Sequence, residues 1–267
     1  MKRYGLLGEH LSHSYSKIIH TSIFKSLNLD ASYFLLECKE EELKNYIELL
    51  KQGYYSGFNI TIPYKKTIMQ YLDCIDEKAK AIGSVNTVYI KNNMVYGTNT
   101  DYDGFLETLK YNHIDVLNKE CYILGTGGAS LAVNKVLLDL GGKCHFVSRT
   151  PKNEEISYKE LETKSIDVLV NTTPVGMYPN VGVSPVSKEI AKNASCVIDI
   201  IFNPLETQLL HDANSHANGL YMLVMQAIKA EEIWQERSIE DITIVFEDLK
   251  FILNLPSDIL KTRRVNL

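Results

Sequence analysis

The sequence predicts an α/β fold of two domains, an N-terminal α/β domain completed by the C-terminal helices and a Rossmann-type doubly wound domain inserted between those parts. Three observations carry that prediction. Apolar runs of strand length alternate with helical patterns along nearly the whole chain, as a parallel α/β architecture requires. A glycine-rich hexamer, Gly125-Thr126-Gly127-Gly128-Ala129-Ser130, sits between a strand pattern and a long helical one. A polar stretch, Asn112 to Lys119, separates two halves that contain no internal repeat. The expected domains are residues 1–103 completed by 220–267, and residues 104–219.

Taken in order, Arg3 to Gly8 reads as a first strand, and His13-Ser14-Tyr15-Ser16 leads into a helix through about Leu27. Ser32 to Cys38 is a strand, Glu40 to Gln52 an amphipathic helix, and Phe58 to Ile62 a third strand. Pro63 suits the first position of a helix, where its missing N–H costs nothing, so a helix is expected from Pro63 to Leu72. Val85 to Lys91 and Met94 to Thr98 form a hairpin around Asn92-Asn93, a pair that tolerates positive φ. Tyr102 then opens a helix through about Tyr111. In the second half, Glu120 to Leu124 is a strand that enters the glycine hexamer, followed by a helix through Leu140, a stop at Gly141-Gly142 and a strand from Lys143 to Val147. Further strands are expected at Asp167 to Val170, Ser195 to Ile201 and Gly219 to Val224, with a last helix from Gln226 to Glu236.

Composition excludes several function classes. A hydrophobic content of 45% and a charged content of 23% are those of a globular chain long enough for a sizeable core. No apolar run could span a bilayer, and MKRYGLLGEH lacks the features of a signal peptide, so a cytoplasmic protein with no membrane partner is expected. The net charge of −5, without a basic block, argues against nucleic acid. Cys38, Cys74, Cys121, Cys144 and Cys196 are odd in number and lack any C-x-x-C spacing, so buried free thiols are expected. His10, His13 and His20 have no metal-binding partners at useful spacing and read as surface or satisfied histidines, with no metal site.

The glycine hexamer points to a dinucleotide. Glycines let the backbone approach a pyrophosphate, while the following helix N-terminus supplies N–H donors and positive potential. Ser130 takes the place of the third glycine, so helix packing there must accept a small hydroxyl. An NAD site usually presents an acid at the end of the second strand, whereas an NADP site presents an arginine for the 2′-phosphate. Here Ser148-Arg149-Thr150 stands at that end, followed by Lys152, which favours NADP. Asn171-Thr172-Thr173-Pro174-Val175-Gly176-Met177 lies after another strand, where open α/β sheets bind ligands.

The segment Phe58 to Lys66 holds a second signal. The expected helix places Lys65 and Lys66 in its first turn, the end where the macrodipole disfavours cations. A local rule broken in this way points to function, and the dipole would lower a lysine pKa toward the range in which protons exchange. The alternative is a pair of solvated surface lysines.

In their order and spacing the motifs resemble the shikimate dehydrogenase family over nearly the whole chain. They are His13-Ser14-Tyr15-Ser16, Asn59-Ile60-Thr61-Ile62-Pro63-Tyr64-Lys65, Val85-Asn86-Thr87 and Asn99-Thr100-Asp101 with Gly104. They continue with Gly125-Thr126-Gly127-Gly128-Ala129, Asn171-Thr172-Thr173-Pro174 with Gly176-Met177, and Met222-Leu223-Val224-Met225-Gln226. The resemblance implies reversible NADPH-dependent reduction of 3-dehydroshikimate to shikimate, on the route to aromatic amino acids, by a monomer or homodimer. It implies that Lys65 and Asp101 form the catalytic pair, that Ser14, Ser16 and Thr61 bind the substrate carboxylate, and that Asn86 and Gln226 read ring hydroxyls with Asn59 facing the same ligand. By the same resemblance Gly125 to Ala129 hold the pyrophosphate, Ser148, Arg149, Thr150 and Lys152 the 2′-phosphate, and Ile200 and Gly219 lie near the nicotinamide. Singly, each has a plainer reading: Ser14 and Ser16 could cap a helix, Asp101 could be the N-cap before Tyr102, Asn86 could close a turn, and Gln226 could face solvent.

The chain also departs from the family pattern. Lys17 stands where a proline is usual, Ser148 replaces an asparagine before Arg149, and Lys152 is the nearest cation where a second arginine is expected. Phe202 takes the place of a tyrosine at the substrate, removing one hydroxyl. These departures keep two alternatives open: a quinate/shikimate enzyme or paralogue using NAD, and a catalytically silent NADP(H)-binding regulatory module.

Overall fold

The computed structural model describes residues 1–12 and 14–253 of the 267, so His13 and the last residues of the chain lie outside it. In chain order the first elements are β1 (Lys2–Gly8), α1 (Ser16–Ser26), β2 (Ala31–Glu37), α2 (Leu43–Lys51), β3 (Gly57–Ile60), β4 (Cys74–Ile75), α3 (Glu77–Ile82), β5 (Thr87–Lys91), β6 (Met94–Thr98) and α4 (Thr100–Tyr111). There follow β7 (Glu120–Leu124), α5 (Gly128–Asp139), β8 (Lys143–Ser148), β9 (Ile156–Ser157), α6 (Tyr158–Leu161) and β10 (Val168–Asn171). The chain continues through α7 (Lys188–Asn193), β11 (Cys196–Asp199), α8 (Gln208–Asp212), β12 (His216–Ala217), α9 (Leu220–Gln235) and α10 (Thr243–Leu253).

These elements form two compact units, one comprising Met1–Asp76, Val85–Thr98 and the described residues from Ala227, the other Glu77–Ser84 and Asn99–Gln226. In the first unit six strands take the order β2-β1-β3-β5-β6-β4. β1 pairs in parallel with both β2 and β3, while β3, β5 and β6 are antiparallel in turn. The β5–β6 hairpin turns on Asn92 and Asn93, both at positive φ (51° and 60°), as expected of that pair. Tyr4, Phe24, Tyr33 and Trp234 are among the buried side chains of its core, and the Trp234 indole N–H donates to the Val88 carbonyl at 3.2 Å.

In the second unit all six strands are parallel, in the order β12-β11-β10-β7-β8-β9. Counted from β7, that order is 3-2-1-4-5-6, the doubly wound dinucleotide-binding topology. Its switch point falls between β7 and β10, so the glycine hexamer and Asn171-Thr172-Thr173 stand at the ends of the two strands that flank it. Two buried clusters cover the strands, one including Phe105, Ile123, Val136 and Met222, the other Leu124, Leu169, Val197 and Leu209.

The units divide the chain at different points from the domains expected of the sequence. The Asn99 amide donates to the carbonyl and hydroxyl of Ser84, and Lys78 meets Asp103 at 2.5 Å, so α3 and the head of α4 group with the second unit. Met222 contributes to that unit's core, which draws the first turns of α9 with it. Asp101 and Gln226 are therefore carried by the second unit.

Three local expectations are corrected. No α-helix runs from Pro63 to Leu72: the segment is a turn followed by a 3₁₀ helix over Thr67–Tyr71. The Lys65 carbonyl, which an α-helix would offer to Met69, accepts instead from the Val85 N–H at 2.8 Å, and Met69 donates to Lys66. Gly219 to Val224 is not a strand but the start of α9, with Asn218 accepting from the Leu220 N–H and Gly219 from the Leu223 N–H. The last strand is β12, just before it. Finally, α4 starts at Thr100 and its N-cap is Asn99, whose side chain accepts from the N–H groups of Asp101 and Tyr102.

Candidate active site

In the first unit most of the residues expected to hold substrate meet in one hydrogen-bonded chain. At the entrance to α1, Ser14 Oγ donates to Ser16 Oγ at 3.2 Å and accepts from the Ser16 N–H, the first of the helix, at 3.2 Å. Ser16 in turn lies within hydrogen-bonding reach of the Tyr33 hydroxyl. Tyr33 donates to Asn59 Oδ1 at 2.7 Å, Asn59 Nδ2 donates to Thr87 Oγ1 at 3.2 Å, and Thr87 donates to Asn86 Oδ1 at 3.0 Å. Asn59, Asn86 and Thr87 are buried, although all three side chains are polar. Buried polar groups persist where they are paired, and these pair chiefly with each other. Burial pushes the Tyr33 phenol well above its ordinary pKa; the Glu231 charge adds to the rise and the Ser16 hydrogen bond opposes it.

Lys65 and Thr61 sit beside this chain. Thr61 is held by its N–H donating to the Leu7 carbonyl, and Lys65 by its carbonyl accepting from Val85, the residue before Asn86. The Lys65 side chain is half-buried and that of Lys66 exposed. With no α-helix at Pro63, the macrodipole argument for these lysines falls away. What separates the two is position: Lys65 is tied to Val85, next to Asn86 in the segment that leads into β5, while Lys66 faces solvent. Glu77 is also exposed and pairs with Lys80 at 2.8 Å.

The cofactor candidates lie in the second unit. Gly125 has φ +101°, and a side chain there would also crowd the Thr172 hydroxyl at 3.1 Å, so the first position of the hexamer requires glycine. At Gly127, the N-cap of the twelve-residue α5, an added Cβ would meet nothing within 4 Å. Open space in front of a helix N-terminus with no acid in its first turn fits a pyrophosphate. The Ser130 hydroxyl is buried but satisfied, donating to the Gly127 carbonyl at 2.6 Å. Thr126 is exposed and Gly128 and Ala129 half-buried, as residues facing a ligand would be.

At the end of β8, Ser148 Oγ accepts from the Thr150 N–H, while Arg149, Thr150 and Lys152 have exposed side chains. The Lys152 N–H donates to Glu155, so that loop is braced by an acid of its own. Burial raises the Tyr158 pKa, and the Arg149 charge opposes the rise. Two exposed cations and a hydroxyl with no acid at the strand end fit a 2′-phosphate better than a free ribose. Ile200 and Gly219 also come together: a Cβ on Gly219 would fall 1.9 Å from the Ile200 carbonyl oxygen, so only glycine allows this approach.

Asp101 is buried in the first turn of α4, where a carboxylate is favoured by the dipole, and Asn99 relieves it of capping. Gln226 lies against Gly104 of the same helix and donates to the Leu223 carbonyl. Phe202 follows β11 and is half-buried.

Two features escaped the sequence reading. Asp199, at the end of β11, is fully buried and accepts from Asn171 Nδ2, the Ile201 N–H and the Thr207 hydroxyl. It ties the loops after β10 and β11 together, and burial raises its pKa to about 6 despite those bonds. A lone acid at a strand end gives no such signal in sequence. The other is the fully buried pair of His20 and Glu231, 2.5 Å apart; the His20 Nε2 has no hydrogen-bond partner among the described residues. His20 is thus satisfied on one side only, while His10 is exposed as expected. The five cysteines are free thiols, two of them buried and three half-buried. Among the described residues no cluster of His, Cys, Asp or Glu could hold a metal, and no helix is long and apolar enough to cross a membrane.

The chain is similar to proteins of known class. Residues 6–88 match the model of the shikimate dehydrogenase substrate binding domain. A shikimate dehydrogenase (NADP(+)) of Clostridium beijerinckii is 46% identical over 255 residues, covering 90% of this chain and 94% of that protein. Among solved structures, a chorismate mutase/shikimate 5-dehydrogenase fusion protein from Clostridium acetobutylicum superposes with TM-score 0.90 at 40% identity, over 95% of this chain and 98% of that one. Shikimate 5-dehydrogenase from Thermus thermophilus, in complex with NADP(H) and shikimate, gives TM-score 0.85 at 29% identity over 94% and 99%.

Proposed function

The chain belongs to the shikimate dehydrogenase family, and from that premise we propose that it catalyses the reversible NADPH-dependent reduction of 3-dehydroshikimate to shikimate in aromatic amino acid biosynthesis. The observation that carries this reading is the hydrogen-bonded chain from half-buried Ser14 to buried Asn86, a set of neutral polar groups with Lys65 joined beside it through the Val85 N–H. Such a set suits a carboxylated polyol with one carbonyl. The residues from 1 to about 98 would supply most of the substrate site, and those from 99 to 226 the cofactor site with Asp101 and Gln226.

The hydroxyls of Ser14, Ser16 and Thr61 would donate to the substrate carboxylate, the two serine protons turning to it from the partners they hold in the chain. Neutral donors bind an anion without leaving an uncompensated cation buried when the ligand departs. Asn59, Asn86 and Gln226 would hold the ring hydroxyls and so fix the carbonyl for attack. NADPH, when bound, supplies the hydride. Lys65 gives a proton to the carbonyl oxygen as that oxygen gains charge, and takes it back from the hydroxyl in the reverse direction. Asp101 would hydrogen-bond Lys65 and a substrate hydroxyl, keeping donor and acceptor in line. Gly125, Thr126, Gly127, Gly128 and Ala129 would take the pyrophosphate, Ser148, Arg149, Thr150 and Lys152 the 2′-phosphate, and Ile200 with Gly219 the nicotinamide. Phe202 offers an apolar ring to the substrate in place of a hydroxyl, a loss of about 0.5–1.5 kcal/mol if a neutral hydrogen bond is absent.

The test is a matrix of rates for NADP and NAD with shikimate and quinate. Shikimate with NADP is expected to be the fastest combination. Quinate oxidation with NAD outpacing it would overturn the assignment, and tight NADP binding without any turnover would favour a regulatory module.

A further inference from the structure

We propose that Tyr33 is a positioning residue for substrate, its hydroxyl joining the serines assigned to the carboxylate to the asparagines assigned to the ring hydroxyls and holding the Asn59 amide between them. The proposal rests on the reading above. Tyr33 comes from β2, is 2% exposed, and has a phenol that can give one hydrogen bond while taking another.

Asn59 Oδ1 can only accept, so the Tyr33 proton goes to it, and the phenolic oxygen is left to accept from Ser16. The Asn86 backbone carbonyl can only accept, so the Asn59 amide presents its N–H end to it and to Thr87 Oγ1, and the Tyr33 proton satisfies the Oδ1 end that this leaves. Thr87, having accepted, directs its own proton to Asn86 Oδ1. Each link sets the polarity of the next. At the end, Asn86 Oδ1 is committed to the Thr87 hydroxyl, which holds the amide in one orientation. A flipped Asn86 would set N–H against the donating Thr87 hydroxyl and leave buried groups mispaired, which costs more than a hydrogen bond gains.

The ring that carries this hydroxyl is itself clamped. His20 stacks on Tyr33 with ring centroids 4.1 Å apart and planes within 5°. His20 Nδ1 is held by Glu231 Oε1, and Glu231 Oε2 accepts from Gln235 Nε2 at 3.0 Å. A fully buried polar pair of this kind seldom adds stability over apolar side chains of equal volume; what it can supply is a defined placement. Here the placed object is the Tyr33 ring. Sequence reading had no access to this, because Tyr33 falls in an ordinary strand and the residues it joins are distant in the chain.

The experiment compares Tyr33→Phe, Thr87→Val, Thr87→Ser and the double variant Tyr33→Phe/Thr87→Val in steady-state kinetics and in calorimetric titration with shikimate, using the full chain. Tyr33→Phe is expected to raise KM and Kd for shikimate about five- to tenfold, with kcat within about twofold and KM for NADP unchanged. Thr87→Val is expected to do the same and Thr87→Ser to restore affinity. The double variant should be no worse than the weaker single one, since both cut one chain. Losses that multiply in the double variant, a Tyr33→Phe affinity within about 1.5-fold of the parent, or a KM for NADP rising in step would overturn the proposal. Should Tyr33→Phe not fold, failure of Thr87→Ser to recover what Thr87→Val loses would overturn it equally. If the parent oxidises shikimate with NADP and the variants match it, the positioning role alone falls; if the parent neither binds nor oxidises shikimate, the assigned function and the positioning role fall together.

Discussion

At the scale of single residues, the proposed chemistry rests on Lys65. Its carbonyl is bonded to Val85 and its side chain is half-buried, whereas its neighbour Lys66 is exposed. A proton donor matters chiefly when charge develops on the carbonyl oxygen, in the transition state rather than in the bound ground state. Lys65→Ala is therefore expected to lower kcat by about 10²- to 10⁴-fold while KM for shikimate changes less than about threefold. Lys66→Ala should match the parent enzyme. Steady-state kinetics on both variants check this, and equal losses in kcat and affinity would remove Lys65 from its role. The same pair of residues shows where electrostatic reasoning from sequence went astray. Pro63 promised a helix and a dipole, and the Lys65 carbonyl accepts instead from Val85, just ahead of β5.

At the scale of elements, the turn between β7 and α5 performs two tasks that different glycines divide. Gly125 has positive φ and a threonine hydroxyl against it, so Gly125→Ala should destabilise the fold as well as weaken NADP binding. Gly127 meets nothing within 4 Å, so Gly127→Ala should leave the melting temperature within about 1 °C and raise KM for NADP alone, by about tenfold or more. Thermal melts and cofactor titrations separate the two; a fall in melting temperature for Gly127→Ala would mean that its space belongs to the fold and not to a ligand. This element was legible in the sequence because glycine spacing, strand and helix all spoke at once, as they did for the Asn92-Asn93 hairpin. α9 was not legible at its start. The apolar run Leu220 to Val224 is too short for its period to tell strand from helix, and what decides is Asn218 accepting from the Leu220 N–H. Nor was the Ser14-to-Asn86 chain visible as a chain: its other members were named by motif, but Tyr33, which joins the serines to Asn59, holds an ordinary strand position.

At the scale of the whole molecule, the unexplained charge is Asp199. Its carboxyl is fully buried, it organises the ends of β10 and β11, and burial lifts its pKa from 3.8 to about 6 even though three groups donate to it. Because the folded value lies above the unfolded one, the native state binds the extra proton between about pH 4 and 6. Its contribution to stability is therefore fully present below about pH 4 and is lost as pH rises through 6. A shift of this size corresponds to about 2–3 kcal/mol, a large share of a typical folding free energy of about 5–15 kcal/mol. Other acids, such as Asp139 beside Lys135 and Glu120 beside His145, are shifted down and act in the opposite sense, so the raw pH profile mixes both signs. Asp199→Asn isolates the one group, since an amide keeps the shape and cannot titrate. Urea unfolding of parent and variant at pH 4.5 and 7.5 should show the parent's stability relative to the variant falling by about 2 kcal/mol between the two pH values. A difference that does not change with pH would mean that Asp199 stays ionised, and that its three donors outweigh the burial of its charge.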